Sequence, residues 1–229
     1  MEKKLPQCAK CPFEWSDRLC RHEGGKAPKA CPTAHHEDLI KESIAEIQSD
    51  GVMEFARQAS IQEAEGYGDR DKGYGSVRPI KPRILEVMEF SKKMDYQRLA
   101  LVFCIGLRHE ASVVSKIFES HGFDVLSVAC KVGRAPKELL GIAEYQKVAP
   151  GNFESMCNPV LQALVANHYA SQFNVLLGLC VGHDSLFFKY AEAPCTVLAV
   201  KDRLLGHNPL AAIYQYNSYY RYLKAPKKP

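Results

Sequence analysis

The amino-acid sequence predicts a Rossmann-like α/β fold: a parallel sheet of about four or five strands with helices on both faces, preceded by a Cys-rich segment and a helical stretch. Three observations carry this expectation. The runs Leu99–Phe103, Val125–Ala129, Val175–Leu179 and Val197–Val200 are apolar with little alternation, the pattern of strands covered on both faces. The stretches between them repeat their apolar residues at helical spacing, and alternation of strand with helix builds a parallel sheet. Residues 1–35, by contrast, hold four cysteines and too few apolar side chains for a core.

Each element follows from local chemistry. Residues 37–65 read as helical, with Leu39, Ile40, Ile44 and Ile47 on one stripe and Val52, Phe55, Ala56, Ala59 and Ile61 on another after Gly51, so a helical hairpin or bent helix is expected. Gly66, Gly68, Gly73, Gly75, Pro79 and Pro82 mark a long loop, which places unit limits at 1–35, 36–80 and 81–229. Ile84–Met94 is a helix. The helix after the first strand carries Val113, Val114, Ile117 and Phe118 on one face and closes on Gly122 as its C′ residue. Asn158 and Pro159 open the next helix, one as cap and the other suited to the first turn. A helix from about Ser185 follows the third strand. The last opens at Asn208 and Pro209, and its Tyr214, Tyr216, Tyr219, Tyr220 and Tyr222 are read as packing residues.

Composition narrows the class. Among 229 residues, 46% are hydrophobic and 24% charged, and no stretch reaches the 18 apolar residues of a membrane span. The start MEKKLPQCAKC has no apolar region after its lysines, so neither a secretory signal nor a membrane association is expected, and the cytoplasm is the expected compartment. A net charge of +4, scattered apart from Lys227 and Lys228, argues against a nucleic-acid partner. In a reducing compartment nine cysteines point to metal binding or thiol chemistry rather than disulfides. GxGxxG and GxxxxGK[ST] are absent, and Gly182-His183-Asp184-Ser185-Leu186 is not a GxSxG elbow, so dinucleotide, P-loop and α/β-hydrolase readings lack their motifs. Asp184 and Ser185 read first as helix caps.

The first cysteine group is Cys8, Cys11, Cys20 and Cys31, spaced C-x2-C-x8-C-x10-C. Four soft ligands in a segment with no other means of folding suit zinc or an iron-sulfur cluster, and His22, His35 or His36 can stand in for a cysteine. A redox CxxC would follow a strand and open a helix, which Cys8 and Cys11 do not.

The second group is Cys104, Cys130 and Cys180, each read as closing a strand ahead of a glycine loop, in Cys104-Ile105-Gly106, Cys130-Lys131-Val132-Gly133 and Cys180-Val181-Gly182. Strand carboxyl ends share one edge of a parallel sheet, so these sulfurs are expected to converge, with Cys157 joining from the crossover loop. Buried cysteines also fill space as small apolar residues, which is the competing account. A [4Fe-4S] cluster is the economical occupant of such a thiol group, with zinc second. Arg108, His109, Lys131, His183 and Lys201 lie near the edge as candidates to hold an anionic substrate, while Cys195 precedes its strand and is expected at the opposite edge.

Through CAKCPFEW, LVFCIGLRHEA, FESMCNP, GLCVGHDSLFFKY and VLAVKDRLLGHNPLAAIY the chain resembles, over nearly its whole length, domain-of-unknown-function family eighteen-forty-seven, predicted metal-binding proteins of anaerobic bacteria and archaea. The resemblance implies cysteine-based metal binding through Cys8, Cys11, Cys20 and Cys31 and through Cys104, Cys130, Cys157 and Cys180, and it supplies no reaction. Two functions stay open. One is an iron-sulfur protein for small-molecule, including sulfur, chemistry or for electron transfer with a redox partner; the other is a non-enzymatic zinc-binding or redox-sensing module. Substrate and oligomeric state are not written in the sequence.

Overall fold

The computed structural model describes residues 5–224, so Lys227 and Lys228 lie outside it. The chain divides after Ala64 into two compact units. The split falls earlier than the glycine-rich loop, because that loop folds into the second unit as a short antiparallel pair, β1 (Tyr67–Gly68) with β2 (Arg78–Pro79).

The first unit opens with the Cys-rich segment, followed by α1 (Pro32–His35), α2 (Glu37–Ile47) and α3 (Val52–Glu65). The break between α2 and α3 falls at Gly51, whose φ of +85° a residue with a Cβ adopts at a cost. None of residues 5–36 is buried. Backbone pairing shapes that segment instead: the Leu19 N–H donates to the Lys26 carbonyl at 3.0 Å, the Lys26 N–H to the Asp17 carbonyl at 2.6 Å, and the Lys26 ammonium meets the Asp17 carboxylate at 2.9 Å. Gly25 is required there, since a Cβ on it would lie 2.5 Å from the Arg18 backbone.

The second unit is α/β. After α4 (Arg83–Lys93) come β3 (Arg98–Phe103), α5 (Arg108–Ser120), β4 (Asp124–Ala129), α6 (Pro159–His168), β5 (Phe173–Leu177), α7 (His183–Tyr190), β6 (Cys195–Ala199) and α8 (Leu210–Tyr214). Four parallel strands stand in the order β4-β3-β5-β6, so strand order reverses between β3 and β5, where the sequence places the crevice. Ala100, Val102 and Leu176 pack with Ala163 and Ala166 of α6 and Phe187 of α7, and Cys104 and Cys130 belong to the same cluster. Elsewhere in the unit the Phe90 and Phe173 rings meet at 5.6 Å.

Several expectations shift by a residue or two. On α5 the buried face is Ala111, Val114 and Phe118, and Val113 is exposed, because 3.6-residue periodicity selects i, i+3 and i+7. The last helix is short, and Tyr214 and Tyr219 are 73% and 85% exposed, so the tyrosine run is not the packing surface expected. α7 opens at His183, after Gly182 at φ +84°, so Asp184 sits in its first turn; its carboxylate accepts from the Ser185 N–H at 2.8 Å, and neither Asp184 nor Ser185 is the cap. Among the described residues no helix is long and apolar enough to cross a membrane.

Candidate metal and thiol site

β3 delivers Cys104 and β4 delivers Cys130 to one edge. The Cys104 N–H donates to the Leu177 carbonyl at 3.1 Å and the Cys130 N–H to the Phe103 carbonyl at 2.9 Å, so both residues extend the sheet ladder by one step. The two thiols are hydrogen-bonded to each other. Cys157 arrives from the far end of the 131–156 loop. That loop is closed by the Asn158 N–H on the Cys130 carbonyl at 2.8 Å and the Met156 N–H on the Ala135 carbonyl at 2.8 Å. Inside it Lys137 pairs with Glu154 at 2.5 Å, and the buried Lys147 ammonium pairs with Glu144 at 2.9 Å and with Glu138. Asn158 caps α6 by accepting from the Leu161 N–H at 3.0 Å. The result sets the Cys157 Sγ 3.7 Å from the Cys130 Sγ.

Cys180 differs from the other two strand-end residues. β5 stops at Leu177, Gly178 turns the chain at φ +66°, and Cys180 stands three residues past the strand. Its Sγ accepts a hydrogen bond from the Arg203 guanidinium at 3.0 Å. Cys104, Cys130 and Cys157 thus form a contact chain with Cys130 in the middle, while Cys180 rests on a cation after the neighbouring strand.

Electrostatics follow from this arrangement. The hydrogen bond from Cys130 brings the Cys104 thiol down to about 5 against the effect of burial, helped by the Gly106 N–H and the Lys201 ammonium. Cys157 falls to about 6, again chiefly through Cys130, with Lys131 and His183 adding positive charge. Cys130 is pushed up, because its proton serves two neighbouring sulfurs in a buried place. Lys201 reaches Cys104 past Gly106 and Gly178, which have no side chains to block it: a Cβ on them would lie 3.6 and 4.0 Å from its Nζ. Gly178 is further constrained, since a Cβ there would sit 2.1 Å from Leu107 Cδ1.

Of the candidate anion-holding residues, Lys131, His183 and Lys201 stand by these sulfurs, Lys131 also donating to the Ser155 carbonyl. Arg108 instead lines a groove of 260 Å³ with Ser112, Ser115 and Ser127, and His109 is exposed next to it. Cys195 is the first residue of β6, opposite Asn174 at the start of β5, which puts it at the other end of the sheet; burial pushes its thiol up. Two residues escaped sequence reasoning. Arg203 was one of several charges after β6, with nothing to single it out. Gln162 is a lone amide in the apolar run of α6; fully buried, its Nε2 donates to the Phe103 carbonyl at 3.3 Å and the Val128 carbonyl at 2.7 Å, tying the ends of β3 and β4 together.

In the first unit, Cys8, Cys11, Cys20 and Cys31 all line one cavity of 310 Å³, with Lys10, Arg18 and Lys29 also in its wall. Cys8–Lys10 is a single 3-10 turn in which the Cys11 N–H returns to the Cys8 carbonyl at 3.2 Å. His22 does not join them: its ring nitrogens face the Glu23 and Ser16 carbonyls at 2.9 and 2.8 Å. Among the described residues, no group of three or more His, Cys, Asp and Glu side chains is drawn together around a single-ion position.

Fold and site together define an α/β protein with thiols gathered at the carboxyl edge of a parallel sheet. The model of a family described as "Protein of unknown function (DUF1847)" matches residues 31–198, and the chain belongs to that family. An uncharacterised protein of the archaeon Methanocaldococcus jannaschii is 38% identical over 177 residues, which cover 77% of this chain and 84% of that protein. No solved structure matches the chain. The family match takes in Cys31, Cys104, Cys130, Cys157, Cys180 and Cys195 and begins after Cys8, Cys11 and Cys20.

Proposed function

We propose that the protein is a cysteine-coordinated metalloprotein of the iron-sulfur class, whose α/β unit uses Cys104, Cys130 and Cys157, with Cys180 at the rim, to hold a cluster serving small-molecule chemistry or electron transfer. The observation that carries this reading is the contact chain Cys104-Cys130-Cys157, made by three segments far apart in sequence. Space-filling cysteines have no reason to meet at the one edge where a doubly wound sheet receives ligands. The donor chemistry fits: soft thiols, two of them held low, with Lys131, His183 and Lys201 at hand to offset negative charge. When bound, a cluster supplies one-electron chemistry or an open iron. This chain's residues would fix its ligands, keep one face dry through the α6 and α7 packing, and hold an anionic reactant on Lys201, Arg203 and His183.

A specific distance favours a second reading. Sulfurs 3.7 Å apart match the edge of a tetrahedron with Zn–S bonds of about 2.3 Å, so a zinc-binding or redox-sensing module is the alternative. Anaerobic purification discriminates. Brown protein whose visible absorption falls in Cys130→Ser supports the cluster, and colourless protein holding zinc that Cys130→Ser releases supports the alternative.

A further inference from the structure

We infer that the N-terminal knot takes a polynuclear iron-sulfur cluster of [4Fe-4S] size and not a single zinc ion; this rests on the metalloprotein reading above and assigns the ligand class of its second site. The argument is one of volume. In a closed ZnS₄ site with bonds of about 2.3 Å the sulfurs stand about 3.8 Å apart, in mutual contact, and enclose nothing but the ion. Here four cysteines line a space of 310 Å³, and at roughly 30 Å³ per water that is the room of about ten waters. A cubane with its bridging sulfides is a multi-atom body that fills such a space while each thiol reaches one corner.

Three features of the segment agree. None of residues 5–36 is buried, so the occupant itself has to supply the internal contacts that an apolar core supplies elsewhere. The wall contributes Lys10, Arg18 and Lys29, three cations facing the negative charge that four thiolates bring. The cysteines arrive on rigid turns: Cys8 and Cys11 on a 3-10 turn, Cys20 after the strand-like pairing of Arg18 with Lys26, and Cys31 ahead of α1, its N–H on the Pro28 carbonyl at 2.9 Å. With His22 committed to two carbonyls, the donor set is all sulfur, which suits iron-sulfur chemistry.

The test counts iron, acid-labile sulfide and zinc in the anaerobically purified full chain and in Cys8→Ser/Cys11→Ser. The expected result is a loss of about four irons and four sulfides per chain, the content of one [4Fe-4S] cluster, with no change in zinc. Loss of about one zinc per chain with iron unchanged overturns the inference and leaves the iron-sulfur reading of the sheet edge intact. Wild-type protein with neither metal overturns both. Misfolding of the double variant is controlled by Mössbauer spectra of the unaltered chain: a knot cluster adds a second cubane signal to that of the sheet edge, and one cubane signal alongside stoichiometric zinc overturns the assignment.

Discussion

Cys130 is the residue on which the sheet-edge site turns. It touches Cys157 at 3.7 Å, is hydrogen-bonded to Cys104, and accepts the Ile105 N–H at 3.3 Å, so its proton serves thiols on either side. In metal-free protein this has a pH signature. Cys157, held at about 6, is a thiolate at neutral pH, and its iodoacetamide alkylation should persist as pH falls from 9 and halve only near 6. Cys195, pushed up by burial, should be inert across that range, which mass mapping of the labelled peptides reads directly. The same shift has a consequence for folding. A thiol whose folded value lies below its unfolded one contributes stability that is fully present above the unfolded value. That contribution is lost as pH falls toward about 5 for Cys104 and about 6 for Cys157, while the raised Cys130 acts in the opposite sense. Cys195→Ala should retain all bound metal, since β6 begins with it at the far end of the sheet; loss of a cluster's worth of iron from that variant would refute the placement.

Among the elements, α6 and the loop before it do most to assemble the site, and they were the least legible beforehand. The Asn158-Pro159 start was readable, because cap chemistry is local. That Cys157 would meet Cys130 was not, because the contact depends on how 131–156 folds back through Lys147, Glu138, Glu144 and Glu154. The strand ends were readable to within two residues: periodicity marks where apolar runs lie, but β5 ends at Gly178 through a positive φ that apolar pattern does not encode, and so Cys180 moved off the strand and onto Arg203. Gln162 also belongs at this scale. Gln162→Leu removes the donor to two buried carbonyls at the ends of β3 and β4, and it should cost about 1–3 kcal/mol in denaturant unfolding and loosen the sheet-edge metal. Unchanged stability and metal retention in that variant would show that the strand ends are held by the ladder alone. Gly178→Ala should be worse than its single methyl suggests, since the Cβ would meet Leu107 at 2.1 Å and the backbone sits at φ +66°.

At the scale of the whole molecule, eight of nine cysteines fall into two groups, one in each compact unit, and the ninth stands apart. The two groups are reached by opposite logic: the first unit gathers thiols where it has no core, the second where its core ends at a sheet edge. The fold class was plain in the sequence, because a strand buried on both faces can be written in only a few residue types; the chemistry at the edge was legible as residue types and positions but not as contacts. The central claim is that cysteines bind iron-sulfur clusters here, and the most direct measurement is the iron, sulfide and zinc content of anaerobically purified wild-type protein. The account predicts iron and sulfide in equal amounts, about eight of each per chain if both sites are filled with [4Fe-4S] clusters. Protein that carries zinc alone, or no metal, with all nine thiols free to alkylation after denaturation, would contradict it.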